Sequence, residues 1–175
     1  MKMDIVAGSH NDEYLTPHWA IKPIIKYLPT ASQGGVRVWC PFDKDESFYV
    51  TDLRAAGYDV INTHIEYGQD FFETNIECEY IISNPPYSCK TEILERLFEL
   101  DKPFAMLVGV VGLFESQKRF QMFRDYKFEI MYFNKRISFL ENYEDEKPKV
   151  NPPFSSVYIC HNILPKQIVF EEIER

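Results

Sequence analysis

No stretch of this 175-residue chain approaches the ~20 consecutive apolar residues that span a bilayer. The opening "MKMDIVAGSHNDEYL" lacks the apolar core of a signal peptide. Cysteines are few: Cys40, Cys78, Cys89 and Cys160 are scattered and show no CxxC spacing. Neither a disulfide framework nor a zinc site is expected, and no metal ligand is assigned; the thiols read as reduced, in a cytoplasmic protein without membrane contact. Positive charge is scarce as well. The net charge of −8 excludes a protein that coats nucleic acid by charge alone. Internal repeats, low-complexity tracts and a sizeable inserted recognition domain are all absent.

What is present fits one domain over 1–175, with enough bulk for a core. Hydrophobic residues at 45% and charged residues at 26% place it among soluble globular chains. Aromatics reach 15%, with 14 Phe and 11 Tyr, enough to furnish a core and the walls of a site for a flat ligand.

Apolar runs and breakers alternate along the chain. Residues 17–28, "PHWAIKPIIKYL", read as a helix with Thr16 as cap and Pro17 at its first position. Residues 31–35, "ASQGG", read as a turn. Strands are expected at 36–40, 58–65, 80–83, 104–111, 128–133 and 155–163. Helices are expected at 46–56, 90–100 and 115–125, the second with Ile93, Leu94, Leu97 and Leu100 on one face. Strands alternating with helices predict an α/β, Rossmann-like fold: a mostly parallel, seven-stranded sheet with helices on both faces, ending in an antiparallel hairpin. Ligands in such sheets bind outside the carboxyl ends of the strands. Both "CPFD" (40–43) and "NPPY" (84–87) fall at such ends.

The stretch "EYIISNPPYSCK", 79–90, is the most informative. An apolar strand stops at Asn84, Pro85, Pro86 and Tyr87, where proline can neither donate to a ladder nor leave its predecessor helical. One reading is a Pro-Pro loop capped by an asparagine. The other is chemical. An amide oxygen on Asn84 and the Pro85 carbonyl, held rigid by Pro86, form two fixed acceptors that match the two donors of a planar NH2 group. That aims the nitrogen lone pair outward while the Tyr87 ring stacks on the heterocycle carrying it. The pattern suits methyl transfer to an exocyclic amine from the sulfonium of S-adenosylmethionine.

With these residues in view, the chain resembles the small phage-type DNA N6-adenine methyltransferases. "NPPY" is similar to the catalytic motif of amino-directed methyltransferases that use S-adenosylmethionine. "DEYLTPHWAIKPII" resembles their Tyr-x-Thr-Pro cofactor segment, which implies cofactor contacts from Tyr14, Thr16 and Pro17 within a segment and helix over 1–35, ahead of a core over 36–165. "VWCPFD" looks like their first-strand motif, implying Pro41, Phe42 and Asp43. "GQDFF" resembles the segment whose acid nears the cofactor adenine, implying Asp70 and Phe71. "PPFSSVYIC" is similar to the late Pro-Phe-Ser strand by the target base, implying Phe154. The resemblance runs in order over 12–160.

The chain departs from the pattern at Cys40 to Ser47, which carries no glycine where the family has Asp-Pro-Phe-x-Gly-x-Gly. Cys40 stands at the acid position, and Asp43 and Asp45 are candidates to replace it. At the end of the second strand His64 and Glu66 are the candidates for the ribose hydroxyls, and His64 equally fits a capped loop.

Within 111–136 six bases face three acids. Either this is a solvated helix face, or Lys118 and Arg119 meet phosphates. The expected function is N6-methylation of adenine in DNA, with a nucleic-acid partner and S-adenosylmethionine as cofactor. The loops at 111–118 and 141–153 are then expected to read the target. The alternatives are the same chemistry on RNA or a protein glutamine, and a degenerate fold that binds without turnover.

Overall fold

The computed structural model describes residues 14–31 and 35–174. Most of the opening fifteen residues and of the 31–35 turn thus lie outside the described residues. In chain order the elements are α1 (His18–Ile25), β1 (Arg37–Cys40), α2 (Phe48–Ala55), β2 (Asp59–Asn62), β3 (Tyr80–Ser83), α3 (Lys90–Leu100), β4 (Phe104–Gly109), α4 (Gln117–Asp125), β5 (Glu129–Phe133), β6 (Ser156–His161) and β7 (Ile168–Glu171). The seven strands form one sheet in the order β2-β1-β3-β4-β6-β5-β7.

Side chains alternate across the strands, so one strand feeds two cores. Val38 and Cys40 of β1 face α1 and α2, together with Ile24, Leu53 and Ile82. Trp39, between them, faces α3 and α4, with Ile81, Leu97 and Met122. Helices thus cover both faces, as expected of an α/β chain.

The expected mostly parallel sheet is corrected to a mixed one. β1–β2, β1–β3, β3–β4 and β5–β7 pair in parallel, whereas β4–β6 and β5–β6 pair antiparallel. The cause lies in residues 134–155, which form no helix, only isolated bridges. Without a crossover helix the chain returns antiparallel as β6, between β4 and β5. The expected antiparallel pair of late strands is present as β5 and β6, but it does not end the sheet. β7 follows on the far side of β5, and its four residues, flanked by Pro165 and charged neighbours, form too short a run to stand out in sequence.

Thr16 is not the cap of α1. Pro17 takes that position with no side-chain cap, and Thr16 turns elsewhere. Ser47 and Ser116 cap α2 and α4 by accepting from the backbone N–H groups of Tyr49 and Arg119. Among the described residues no helix is long and apolar enough to cross a membrane, and no cluster of three metal-ligating side chains occurs.

Candidate active site

The carboxyl ends of β1, β2 and β3 lie side by side at one edge of the sheet, and a cavity of about 540 Å3 opens above them. Its size is that of a small-molecule or cofactor site. The turn after β1 contributes Pro41, Phe42, Asp43 and Lys44. The segment after β2 contributes His64, Gln69 and Phe71, and Asn84 and Pro86 follow β3. Tyr14, Leu15 and Thr16 form another wall, fixed where Leu15 bridges to Leu140.

Asp43 is buried at the centre of this edge. Its Oδ1 accepts from Ser47 Oγ and its Oδ2 from Ser83 Oγ, both at 2.5 Å. One carboxylate thereby joins the helix cap after β1 to the residue before Asn84. Beside it, the Asn62 side chain donates to Asp43 O at 3.2 Å and Asp45 Oδ1 at 2.9 Å, closing the turn without glycine.

The Asn84 amide is held firmly. Its Nδ2 donates to Tyr14 O at 2.7 Å and to Thr16 Oγ1 at 3.2 Å. Its Oδ1 is buried and finds no hydrogen-bond partner among the described residues. A buried acceptor left unsatisfied costs about 1–3 kcal/mol, so such groups are rare and call for a ligand or another explanation. Beside it, the rings of Tyr87, Tyr14 and Phe154 pack at centroid separations of 5.2, 5.5 and 6.0 Å. Gly109, ending β4, lets Phe154 approach: a Cβ there would stand 3.0 Å from two atoms of its ring.

Phe42 and Phe71, with centroids 4.9 Å apart, give the cavity an aromatic wall. Its charged lining is mostly acidic, with Asp43, Glu46, Glu141 and Glu144 against Lys44, which pairs with Glu66 at 2.7 Å. A cationic ligand suits that balance. The residues therefore fit S-adenosylmethionine in volume, in flat apolar wall and in charge.

Not every residue implied by the resemblance lines the cavity. His64 does, yet its Nδ1 accepts from Glu66 N at 3.1 Å, capping the short helical turn at Ile65–Tyr67. Asp70 lies beside the wall rather than on it and accepts from Phe72 N at 2.9 Å. Pro17, Pro85 and Tyr87 also stand outside the lining, Tyr87 within the aromatic cluster.

Lys118 and Arg119 sit on α4, away from the cavity lining. Lys118 pairs with Glu95 at 2.7 Å on the surface. Arg119 instead clamps the loop after β4, donating to Leu113 O at 2.8 Å, to Gly112 O and to Thr91 Oγ1. Lys90 supports the same loop through Gly109 O and Val111 O. Burial, and then the Arg119 charge, pull the Lys90 ammonium below its usual range.

Sequence reasoning missed Tyr49, Gln69 and the Glu141–Glu144 segment as cavity walls. Tyr49 follows the β1 turn by one helical step, which was a usable signal. Tyr143 is brought over the cavity by packing on Phe48 at 4.8 Å, a contact without local sequence trace. Compared with known proteins, the chain matches no family model, and no curated protein matches it significantly.

Proposed function

We propose that this protein is an S-adenosylmethionine-dependent methyltransferase acting on an exocyclic amine, the N6 of adenine in DNA. The observation that carries this reading is the Asn84 amide: both donors are tied to the N-terminal segment, and the acceptor is left without a partner. A target NH2 group supplies the missing donor. With the Pro85 carbonyl as second acceptor, the amine is held with its lone pair free. As positive charge develops on that nitrogen, the bond to Asn84 Oδ1 strengthens, which lowers the barrier more than it aids binding. No strong base is needed, because the proton leaves for solvent after the nitrogen has reacted.

Bound in the cavity, S-adenosylmethionine supplies a sulfonium-activated methyl group. The chain's own residues hold it: Phe42 and Phe71 against the flat ring, and the acidic lining against its positive charge. Tyr87, Tyr14 and Phe154 present rings on which a base can stack, each contact of that kind contributing ~1–3 kcal/mol. A base in duplex reaches them only by leaving its stack.

The test is Asn84→Ala with tritiated methyl transfer to mixed-sequence DNA. Turnover is expected to fall ~10²–10³-fold while S-adenosylhomocysteine binding is kept. Equal turnover by a folded variant would remove the role given to Asn84. A second reading, the same chemistry on a protein glutamine amide, is favoured by the pairing of Lys118 with Glu95 and of Arg124 with Asp125. Those pairs place an acid beside each cation and weaken the pull of α4 on phosphates. Methyl transfer to protein with none to DNA or RNA would select it.

A further inference from the structure

Behind Asn84 runs a buried line of hydroxyl groups. Thr16 Oγ1 accepts from the Asn84 amide at 3.2 Å and stands next to the Tyr49 phenol in the same wall of the cavity. The hydroxyls of Tyr49 and Tyr158 lie 2.8 Å apart. Tyr158 donates to the carbonyl of Ala20 in α1 at 3.1 Å. Thr16, Tyr49 and Tyr158 are each at most 2% exposed, so the line is buried in the protein.

The far end sets the direction. A carbonyl only accepts, so the one proton of Tyr158 goes to Ala20. Tyr158 must then accept from Tyr49, and Tyr49, its own proton used, offers the neighbouring Thr16 hydroxyl only a lone pair. With its proton turned to that lone pair, Thr16 meets Asn84 as an acceptor. Only an NH2 group can meet it there. Burial pushes both phenols up, so neither ionises near neutral pH to reverse the order.

We propose that Thr16, backed by Tyr49 and Tyr158, is a positioning residue that locks the Asn84 amide with Oδ1 toward the target amine. Tyr14 O holds the other amide proton, so a flipped amide would lose two hydrogen bonds and set oxygen against oxygen. The polarity of the acceptor is thereby set from α1, through α2 and β6, before any ligand arrives. The role of the locked acceptor rests on the methyl-transfer reading; the lock itself does not.

The test compares Thr16→Val, Thr16→Ser and Tyr49→Phe, using S-adenosylhomocysteine and mixed-sequence DNA as probes. The Asn84 side-chain NH2 signals, assigned by their loss in Asn84→Ala, are followed by NMR. In the wild type they are expected to exchange slowly with solvent. Thr16→Val should speed that exchange and lower kcat about tenfold, the worth of one buried hydrogen bond. Thr16 also lines the cavity, so the Kd for S-adenosylhomocysteine is measured alongside and should change less than kcat does. Thr16→Ser should restore both readouts, and Tyr49→Phe should fall between. The proposal is overturned if Thr16→Val changes neither exchange nor kcat, or if Thr16→Ser is as impaired as Thr16→Val, which would mean packing alone. If the wild type transfers no methyl group yet Thr16→Val still frees the Asn84 amide, the lock stands and the methyl-transfer reading falls.

Discussion

Ser83 donates its hydroxyl to Asp43 across 40 residues of chain, tying the end of β3 to the turn after β1. Ser83 directly precedes Asn84, so this bond bears on where the candidate acceptor stands. Asp43→Ala would leave two buried hydroxyls without their shared acceptor, at a cost of about 1–3 kcal/mol each. Urea denaturation should show a midpoint well below wild type. Asp43→Asn keeps one acceptor and should lose about half as much. An Asp43→Ala midpoint equal to wild type would show that the bond does not brace the site.

Gly109 and Phe154 give a second expectation. With a Cβ at 3.0 Å from the Phe154 ring, Gly109→Ala cannot be accommodated without moving that ring. Overpacking of this kind typically costs 1–3 kcal/mol. On the proposed methyl-transfer reading, the displaced ring should raise KM for DNA more than it lowers kcat. Steady-state kinetics beside the double variant Gly109→Ala, Phe154→Ala, in which the crowding is relieved, check this.

Lys118 and Arg119 are neighbours with opposite expectations. Lys118 is exposed and its pair with Glu95 is a surface ion pair, a class worth less than about 1 kcal/mol. Lys118→Ala should be thermally silent. Arg119→Ala removes the donors that hold Leu113, Gly112 and Thr91, and should lower Tm by several degrees. If Lys118 touches phosphate, its loss should reduce the salt slope of DNA binding by about one unit. An unchanged slope returns α4 to a solvated face.

The thiols should react unequally. Burial pushes the Cys40 and Cys160 thiols far up and lifts Cys78 to about 11. Cys89 alone is only half-buried, two residues past Tyr87. At pH 8 a thiol reagent should label one equivalent quickly in the folded protein and four in urea. Mass spectrometry should place the fast label on Cys89. Fast labelling of Cys40 would contradict the packing of β1.

Glu171 should make the outer edge of the sheet acid-sensitive. Burial raises this carboxyl, but hydrogen bonds from Lys26 and Tyr27 outweigh that and hold it below its ordinary value of 4.5. A depressed folded pKa adds stability above the unfolded value and loses it as pH falls through the folded one. Wild-type Tm should therefore drop below about pH 4.5 more steeply than that of Glu171→Gln. Parallel curves would show that the link between α1 and β7 does not contribute.

The sequence by itself determined every named helix and strand but β7, and the placing of a cavity at the carboxyl ends of strands. Local propensities suffice for a helix at 90–100, observed there residue for residue, and for a strand stopped at Asn84 by two prolines. Alternation of strand and helix was enough for an α/β sheet with both faces covered, and for a site at carboxyl strand ends. Only the tertiary structure decided the rest, because the rest depends on which distant groups meet. The return of β6 as an antiparallel strand was set by the lack of a crossover helix in 134–155. The roles of Thr16, Arg119 and Asp43 changed or sharpened because their partners lie 68, 28 and 40 residues away. A hydroxyl before a proline reads locally as a helix cap. It becomes part of the Asn84 lock only when folding sets it against an amide, and no local pattern records that meeting.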